Sequence, residues 1–197
     1  MSTNVTRHPG NVSAGDRSRI FGHHPATIWL TGLPSAGKST LAFGLEQRLT
    51  TMGHAAYALD GDNVRHGLSR DLGFSPRERK ENIRRVAEVA RMFNDAGLFV
   101  ITAFISPYRE DRDDAREIVG TECFLETYLS TPLGECERRD PKGLYRQARA
   151  GLLPEFTGVS APYEPPQSPA IALDTSQLSV EECLDRLVAL LSPRFIA

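Results

Sequence analysis

Apolar positions along the chain follow two periods, and the switches between them mark out the elements. Residues 26–31 hold Ile28, Trp29 and Leu30 in a short run ended by Gly32 and Pro34, which predicts a buried strand. From Ser39 the spacing becomes helical, with Leu41, Leu45 and Leu49 on one side, Ala42 beside them, and Gly53 placed to end the helix. A second strand is predicted at 55–59. Ser75, Pro76 and Glu78 form a helix start with a capping box. The helix they open should run to about residue 96, with Val86, Val89, Ala90 and Phe93 inward. Gly97 stops it, and 98–103 is nearly all apolar, as a central parallel strand requires. Strands are also predicted at 124–129 and 171–173. A last helix opens at Ser179, with Glu182 in the capping position and Leu184, Leu187, Val188 and Leu191 inward.

Strands alternating with helices of this length predict a three-layer α/β fold, because each parallel crossover needs a helix to return the chain. The expected sheet has five mostly parallel strands in one domain over 26–197, preceded by a polar arm at 1–25. Pro162, Pro165, Pro166 and Pro169 forbid regular structure and point to a lid region at about 138–169.

The 197 residues, 40% hydrophobic and 24% charged, suit one folded domain and exclude disordered or fibrous classes. A formal charge of -2 argues against a general nucleic-acid binder. Locally, residues 65–91 and 138–149 are rich in Arg and Lys, so two basic segments could converge on a small anion or simply be solvated helix faces. Three unevenly spaced cysteines match neither a disulfide framework nor a zinc site and suit reduced cytoplasm. No signal-peptide or membrane-spanning run is present, so neither membrane nor nucleic acid is an expected partner.

Gly32, four residues, then Gly37, Lys38 and Ser39, between a predicted strand and helix, form a P-loop. Glycines let the backbone turn tightly around phosphate, so that residues 32–40 (Gly32, Leu33, Pro34, Ser35, Ala36, Gly37, Lys38, Ser39, Thr40) would cradle ATP. Lys38 brings charge to the β- and γ-phosphates, and the Ser39 hydroxyl would ligate Mg²⁺. No acid follows the strand at 98–103, where many P-loop enzymes carry one. Asp60 and Asp62, at the carboxyl end of the second strand, are the candidates to hold the metal or orient an acceptor hydroxyl. The same Asp60-Gly61-Asp62-Asn63 run could equally be turn chemistry and a helix cap.

Further blocks resemble the adenylyl-sulfate kinase (APS kinase) family. They are Asp60-Gly61-Asp62-Asn63-Val64-Arg65-His66-Gly67-Leu68, Asp71-Leu72-Gly73-Phe74-Ser75 and Arg79-Lys80-Glu81-Asn82-Ile83-Arg84-Arg85. Phe104-Ile105-Ser106-Pro107-Tyr108, Asp140-Pro141-Lys142-Gly143-Leu144-Tyr145 and Phe156-Thr157-Gly158 continue the likeness, and in the arm so do Asn4-Val5 and His8. The resemblance implies a nucleoside-monophosphate-kinase-like P-loop fold, ATP and Mg²⁺, and transfer of phosphate to the 3'-hydroxyl of adenosine 5'-phosphosulfate (APS). It implies that Phe74 and Phe156 sandwich the adenine of APS, and that Arg65, Arg79 and Asn82 grip its phosphosulfate and sugar. Ile105, Ser106, Lys142 and Leu144 would complete the pocket with Asp62, while Asp60 and Lys38 act nearest the transferred phosphoryl. Ser106 would be either a phosphoserine intermediate or, with direct transfer, a substrate contact. Arg138 or Arg139 would reach ATP, Arg138 being taken as the nucleotide-side residue. The family also implies a homodimer and allows association with ATP sulfurylase, although no fused sulfurylase domain is expected.

Pro34, Ser35 and Ala36 depart from the commonest family P-loop, but those positions contribute mostly backbone. Two rivals stay open: a P-loop kinase for a gluconate- or shikimate-like acceptor, which gives no reason for two aromatic faces, and a non-catalytic nucleotide sensor, which needs no hydroxyl-orienting carboxylate.

Overall fold

The computed structural model describes residues 6, 8, 10–192 and 194–196; Asn4 and Val5 lie outside them. In chain order the elements are α1 (Ala14–Phe21), β1 (Thr27–Gly32), α2 (Lys38–Thr51), β2 (Ala56–Asp60) and α3 (Gly61–His66). Then come α4 (Pro76–Asp95), β3 (Phe99–Ala103), α5 (Arg109–Val119) and β4 (Phe124–Leu129). The chain ends with α6 (Leu133–Arg139), α7 (Leu144–Arg149), β5 (Ile171–Leu173) and α8 (Val180–Leu191). All four strand pairings are parallel, as expected from the sequence, and the strands run in the order β2-β3-β1-β4-β5.

Side chains on β1 alternate between the two faces of the sheet. Ile28 and Leu30 join Leu41, Leu45 and Leu49 of α2 and Leu184, Leu187 and Leu191 of α8 in one core. Trp29 points the other way, into a second core with Val86 and Ala90 of α4, Ala115 of α5 and Phe124 of β4. The sheet is therefore covered on both faces. Both capping boxes foreseen at Ser75 and Ser179 are formed, each through the Glu three residues on.

Four local features differ from or add to what the sequence suggested. The arm is not irregular throughout: Ser13 and Asp16 make a capping box that starts α1, and Gly22 in the left-handed region ends it. The helix α5 was not legible because its inward side is nearly polar, with Asp111 and Arg112 buried beside only Ala115 and Val119. On α4, the inward stripe includes Asn82, Ile83 and Ala87, while Val89 and Phe93 are only partly buried. The proline-rich stretch is tied down rather than free-standing: the Glu164 N–H donates to the Pro107 carbonyl at 2.8 Å, and the Arg109 N–H to Glu164 Oε2 at 2.9 Å.

Candidate active site

The carboxyl ends of β1, β2 and β3 open into one cleft of about 620 Å³. Its nucleotide side is the turn between β1 and α2. A Cβ at Gly32 would lie 2.8 Å from the Leu129 carbonyl oxygen, so only glycine fits there, and Gly37 adopts a φ of +97°. The loop's carbonyls are held from outside: the Tyr145 hydroxyl donates to the Pro34 carbonyl at 3.1 Å and Thr175 Oγ1 to the Ala36 carbonyl at 3.0 Å. That arrangement leaves the first-turn N–H groups of α2, which have no helical partners, free to meet an anion.

Lys38 is buried and folds back, its ammonium donating to the Gly32 carbonyl at 2.9 Å and the Leu33 carbonyl at 2.7 Å. Burial pushes its pKa down to about 8, against smaller upward pulls from Cys136 and Asp60. The Ser39 hydroxyl donates to Asp60 Oδ2 at 2.6 Å, while Asp60 Oδ1 accepts from the N–H groups of Asp62 at 3.0 Å and Asn63 at 3.4 Å. Asp60 thus caps α3 and at the same time turns an oxygen toward the P-loop. Among the described residues no cluster of three His, Cys, Asp or Glu could hold a metal by itself. A hydroxyl and a carboxylate beside a phosphate site suit Mg²⁺, which keeps several waters and takes its remaining ligands from carboxylate and substrate phosphate.

Across the cleft lie Arg65 and Phe74, with Arg79 and Asn82 on α4. The Arg65 guanidinium sits 4.3 Å from the centre of the Phe74 ring and donates to the Leu72 and Gly73 carbonyls at 3.0 and 2.8 Å. Arg79 donates to the Phe74 carbonyl at 2.7 Å and the Glu155 carbonyl at 3.0 Å. Among the described residues neither has a carboxylate partner within ion-pair distance, whereas Arg84, Arg85 and Arg91 on the same helix each pair with acids. Burial lowers both guanidinium pKa values, and for Arg65 the nearby Arg79 charge adds to it. An anion placed between them would relieve the repulsion. Asn82 is 4% exposed, and its Oδ1 has no partner among the described residues.

Ile105, Ser106 and Leu144 also line the cleft, as the sequence suggested. Ser106 is 2% exposed, has a φ of +38°, and its Oγ accepts from Trp29 Nε1 at 3.2 Å. Lys142 and Asp62 form an ion pair across the mouth.

Two expected residues are not brought here. Phe156 packs edge-on against Tyr145, ring centroids 5.0 Å apart, and is absent from the cleft lining, so in this structure it does not face Phe74. Its apolar neighbours belong to the core beneath the P-loop. Arg138 points outward and pairs with Glu135, 74% exposed, whereas Arg139 lines the cleft and donates to Thr175 Oγ1 at 2.8 Å and the Thr175 carbonyl at 2.7 Å. The helical phase of α6 separates these adjacent arginines. Thr175 itself, which ties Arg139, Thr131 and the P-loop together, was missed; nothing in its local sequence distinguishes it from a turn residue.

A family model described as adenylylsulphate kinase matches residues 24–174. The adenylyl-sulfate kinase of Pseudomonas entomophila is 56% identical over 177 residues, covering 88% of this chain and 85% of that protein. That of Enterobacter sp. is 54% identical over 188 residues, covering 95% and 93%. The solved structure of the Mycobacterium tuberculosis APS kinase in complex with AMPPNP and APS has a TM-score of 0.82 at 44% identity, covering 85% of this chain and 98% of that one. P-loop, carboxylates and paired arginines thus occur together in a chain similar to these proteins over nearly its whole length, and the chain belongs to the adenylylsulphate kinase family.

Proposed function

We propose that this protein transfers the γ-phosphoryl group of ATP to the 3'-hydroxyl of adenosine 5'-phosphosulfate, giving 3'-phosphoadenylyl sulfate and ADP. The observation that carries the reading is one cleft with a P-loop and its Ser39–Asp60 contact on one side and two carboxylate-free guanidiniums beside an exposed Phe74 ring on the other. Triphosphate binds the first-turn N–H groups of α2 and Lys38. Ser39 and Asp60 would hold Mg²⁺, which would supply neutralisation of the phosphate charge.

The acceptor's phosphosulfate lies against Arg65 and Arg79, its base against Phe74, and a ribose hydroxyl donates to Asn82 Oδ1. In the transfer the 3'-oxygen forms a bond to phosphorus as the bond to the β–γ bridging oxygen breaks, and the hydroxyl proton passes to a carboxylate of the Asp60–Asp62 pair. Burial of Ser106 Oγ and its bond from Trp29 favour direct in-line transfer, with Ser106 as a wall of the pocket. Lys142 and the lid residues after it complete the mouth; Arg139, rather than Arg138, is the nucleotide-side arginine. The reading includes a homodimer in a reducing compartment, the latter supported by three free cysteines of which Cys136 and Cys183 are buried.

The test is ADP release from MgATP with APS, gluconate, shikimate or no acceptor. Release with APS alone is expected. Release with a sugar acid instead would overturn the acceptor assignment, and no release from folded, ATP-binding protein would overturn catalysis.

A further inference from the structure

Arg112, on α5, is 1% exposed, yet its side chain lies outside the cleft and touches none of the groups assigned above to ATP. Its donors go to three different segments. Nε donates to Glu126 Oε1 on β4 at 2.7 Å, Nη1 to the Ser106 carbonyl at 2.7 Å, and Nη2 to the Glu164 carbonyl at 2.7 Å. Arg116 occupies the other Glu126 oxygen at 2.9 Å. A buried ion pair is weak evidence for stability, because desolvation offsets most of the attraction. What the fork does here is geometric: a planar guanidinium holds two carbonyls from distant parts of the chain at a fixed separation.

The first carbonyl belongs to a residue that lines the cleft, and the second to the segment 155–166, which does not line the cleft at Glu164 but bonds Arg79, which does. The Ser106 carbonyl sits in the turn 105–107, whose left-handed φ at Ser106 has no glycine to relieve it. Thr31 Oγ1 supports the same turn through the Ile105 carbonyl at 2.8 Å. The Glu164 carbonyl follows Tyr163, whose hydroxyl lies 3.0 Å from Thr31 Oγ1. Upstream in this segment, the Glu155 carbonyl and Thr157 Oγ1 receive Arg79, at 3.0 and 3.4 Å. Prolines 162, 165 and 166 carry no N–H, so side-chain donors such as Arg112 and Arg109 satisfy the segment's carbonyls instead.

We infer that Arg112, clamped by Glu126, is a positioning residue for the acceptor: by bonding Ser106 and Glu164 together it sets the spacing between the 105–107 turn and the segment that holds Arg79. The inference rests on the APS reading above. It predicts a selective defect, because the ATP side of the cleft is built by α2, Tyr145, Arg139 and Thr175, which Arg112 does not contact.

The experiment compares wild type with Arg112→Lys, which keeps the charge but loses the fork, and with the double variant Arg112→Met/Glu126→Met, which fills the space without a buried charge. Steady-state kinetics are read for APS and for ATP, with APS affinity measured separately by calorimetry and amide exchange followed at 105–108 and 155–164. Misplacement of this kind should raise the APS KM by about tenfold or more while the ATP KM stays within about twofold. Exchange should quicken in both segments of either variant. The double variant guards against Arg112→Lys failing to fold, since an apolar pair of similar volume is often tolerated. An unchanged APS KM in a folded double variant overturns the inference, as does a parallel rise in both KM values. Wild type failing to phosphorylate APS at all would overturn the functional reading first, and is distinguishable because it precedes any variant.

Discussion

The Ser39 hydroxyl and Asp60 Oδ2 stand 2.6 Å apart, joining the first turn of α2 to the carboxyl end of β2. Since Asp60 Oδ1 caps α3 at the same time, a folding role and the proposed catalytic role fall on one side chain, and substitutions can separate the two. Asp60→Ala removes both: turnover should fall by about 10² or more, and the lost cap should cost about 1 kcal/mol of stability. Asp60→Asn keeps a good cap, so its melting temperature should match wild type while turnover still drops. ATP binding should survive in both. Near-normal turnover in Asp60→Asn would remove the carboxylate from the mechanism.

The nucleotide side carries a pH signature. With its pKa pushed down to about 8 by burial, free Lys38 is partly neutral above that pH. Phosphate favours the charged form, so nucleotide binding takes up a proton there. Affinity is therefore full below pH 8 and falls as pH rises, by up to about tenfold per unit. Calorimetry at pH 8.5 in buffers of different ionisation heat should report an uptake of about three-quarters of a proton. Lys38→Arg, which does not titrate in this range, should abolish it; zero uptake by wild type would mean that the lysine is already charged.

Phe74 and Phe156 should separate cleanly. Phe74 is 64% exposed, so Phe74→Ala should leave stability within about 0.5 kcal/mol of wild type. Loss of a base stack worth about 1–3 kcal/mol should raise the APS KM several-fold or more, with the ATP KM unmoved. Phe156→Ala strips a ring from Tyr145 beneath the P-loop and should lower the melting temperature. Thermal melts and paired KM measurements decide; an equal rise in both KM values for Phe74→Ala would make that ring structural.

The arginines of α6 show where the sequence was readable and where it was not. The positions of the strands, the capping boxes at Ser75 and Ser179 and the P-loop follow from local spacing, because each rests on a pattern set within a few residues. Which of two neighbouring arginines faces the cleft depends on how α6 packs beside Thr175, a contact across 36 positions. The inward placement of Arg112 was hidden for a similar reason: its partners Glu126 and Glu164 lie on other elements, and a charged residue in a polar helix reads as surface. Arg139→Ala should accordingly raise the ATP KM, while Arg138→Ala should leave both KM values unchanged.

At the opposite end of the sheet, His23 is 2% exposed, with Nε2 against the Gly97 carbonyl at 2.9 Å and Nδ1 near the Phe21 carbonyl at 3.1 Å and His54 Nδ1 at 3.3 Å. Its ring stacks on Phe99, centroids 4.4 Å apart, and its strand bridge to Ile196 ties the end of α1 to the chain terminus. Burial holds its pKa below the usual 6.5; the two carbonyls pull it up, and His54 and His24 push it further down. A base depressed on folding binds fewer protons than in the unfolded chain. Its effect on stability is thus absent above pH 6.5, and stability is lost progressively as pH falls from 6.5 through the folded value. Glu81 and Glu135, held down from 4.5 to about 2 by their arginine partners, lose their contribution only as pH falls from about 4.5 toward 2, below that window. Denaturant unfolding from pH 7.5 to 5 should show this loss, and His23→Gln, uncharged throughout, should flatten it. Identical slopes for the two proteins would show that His23 is not the group responsible.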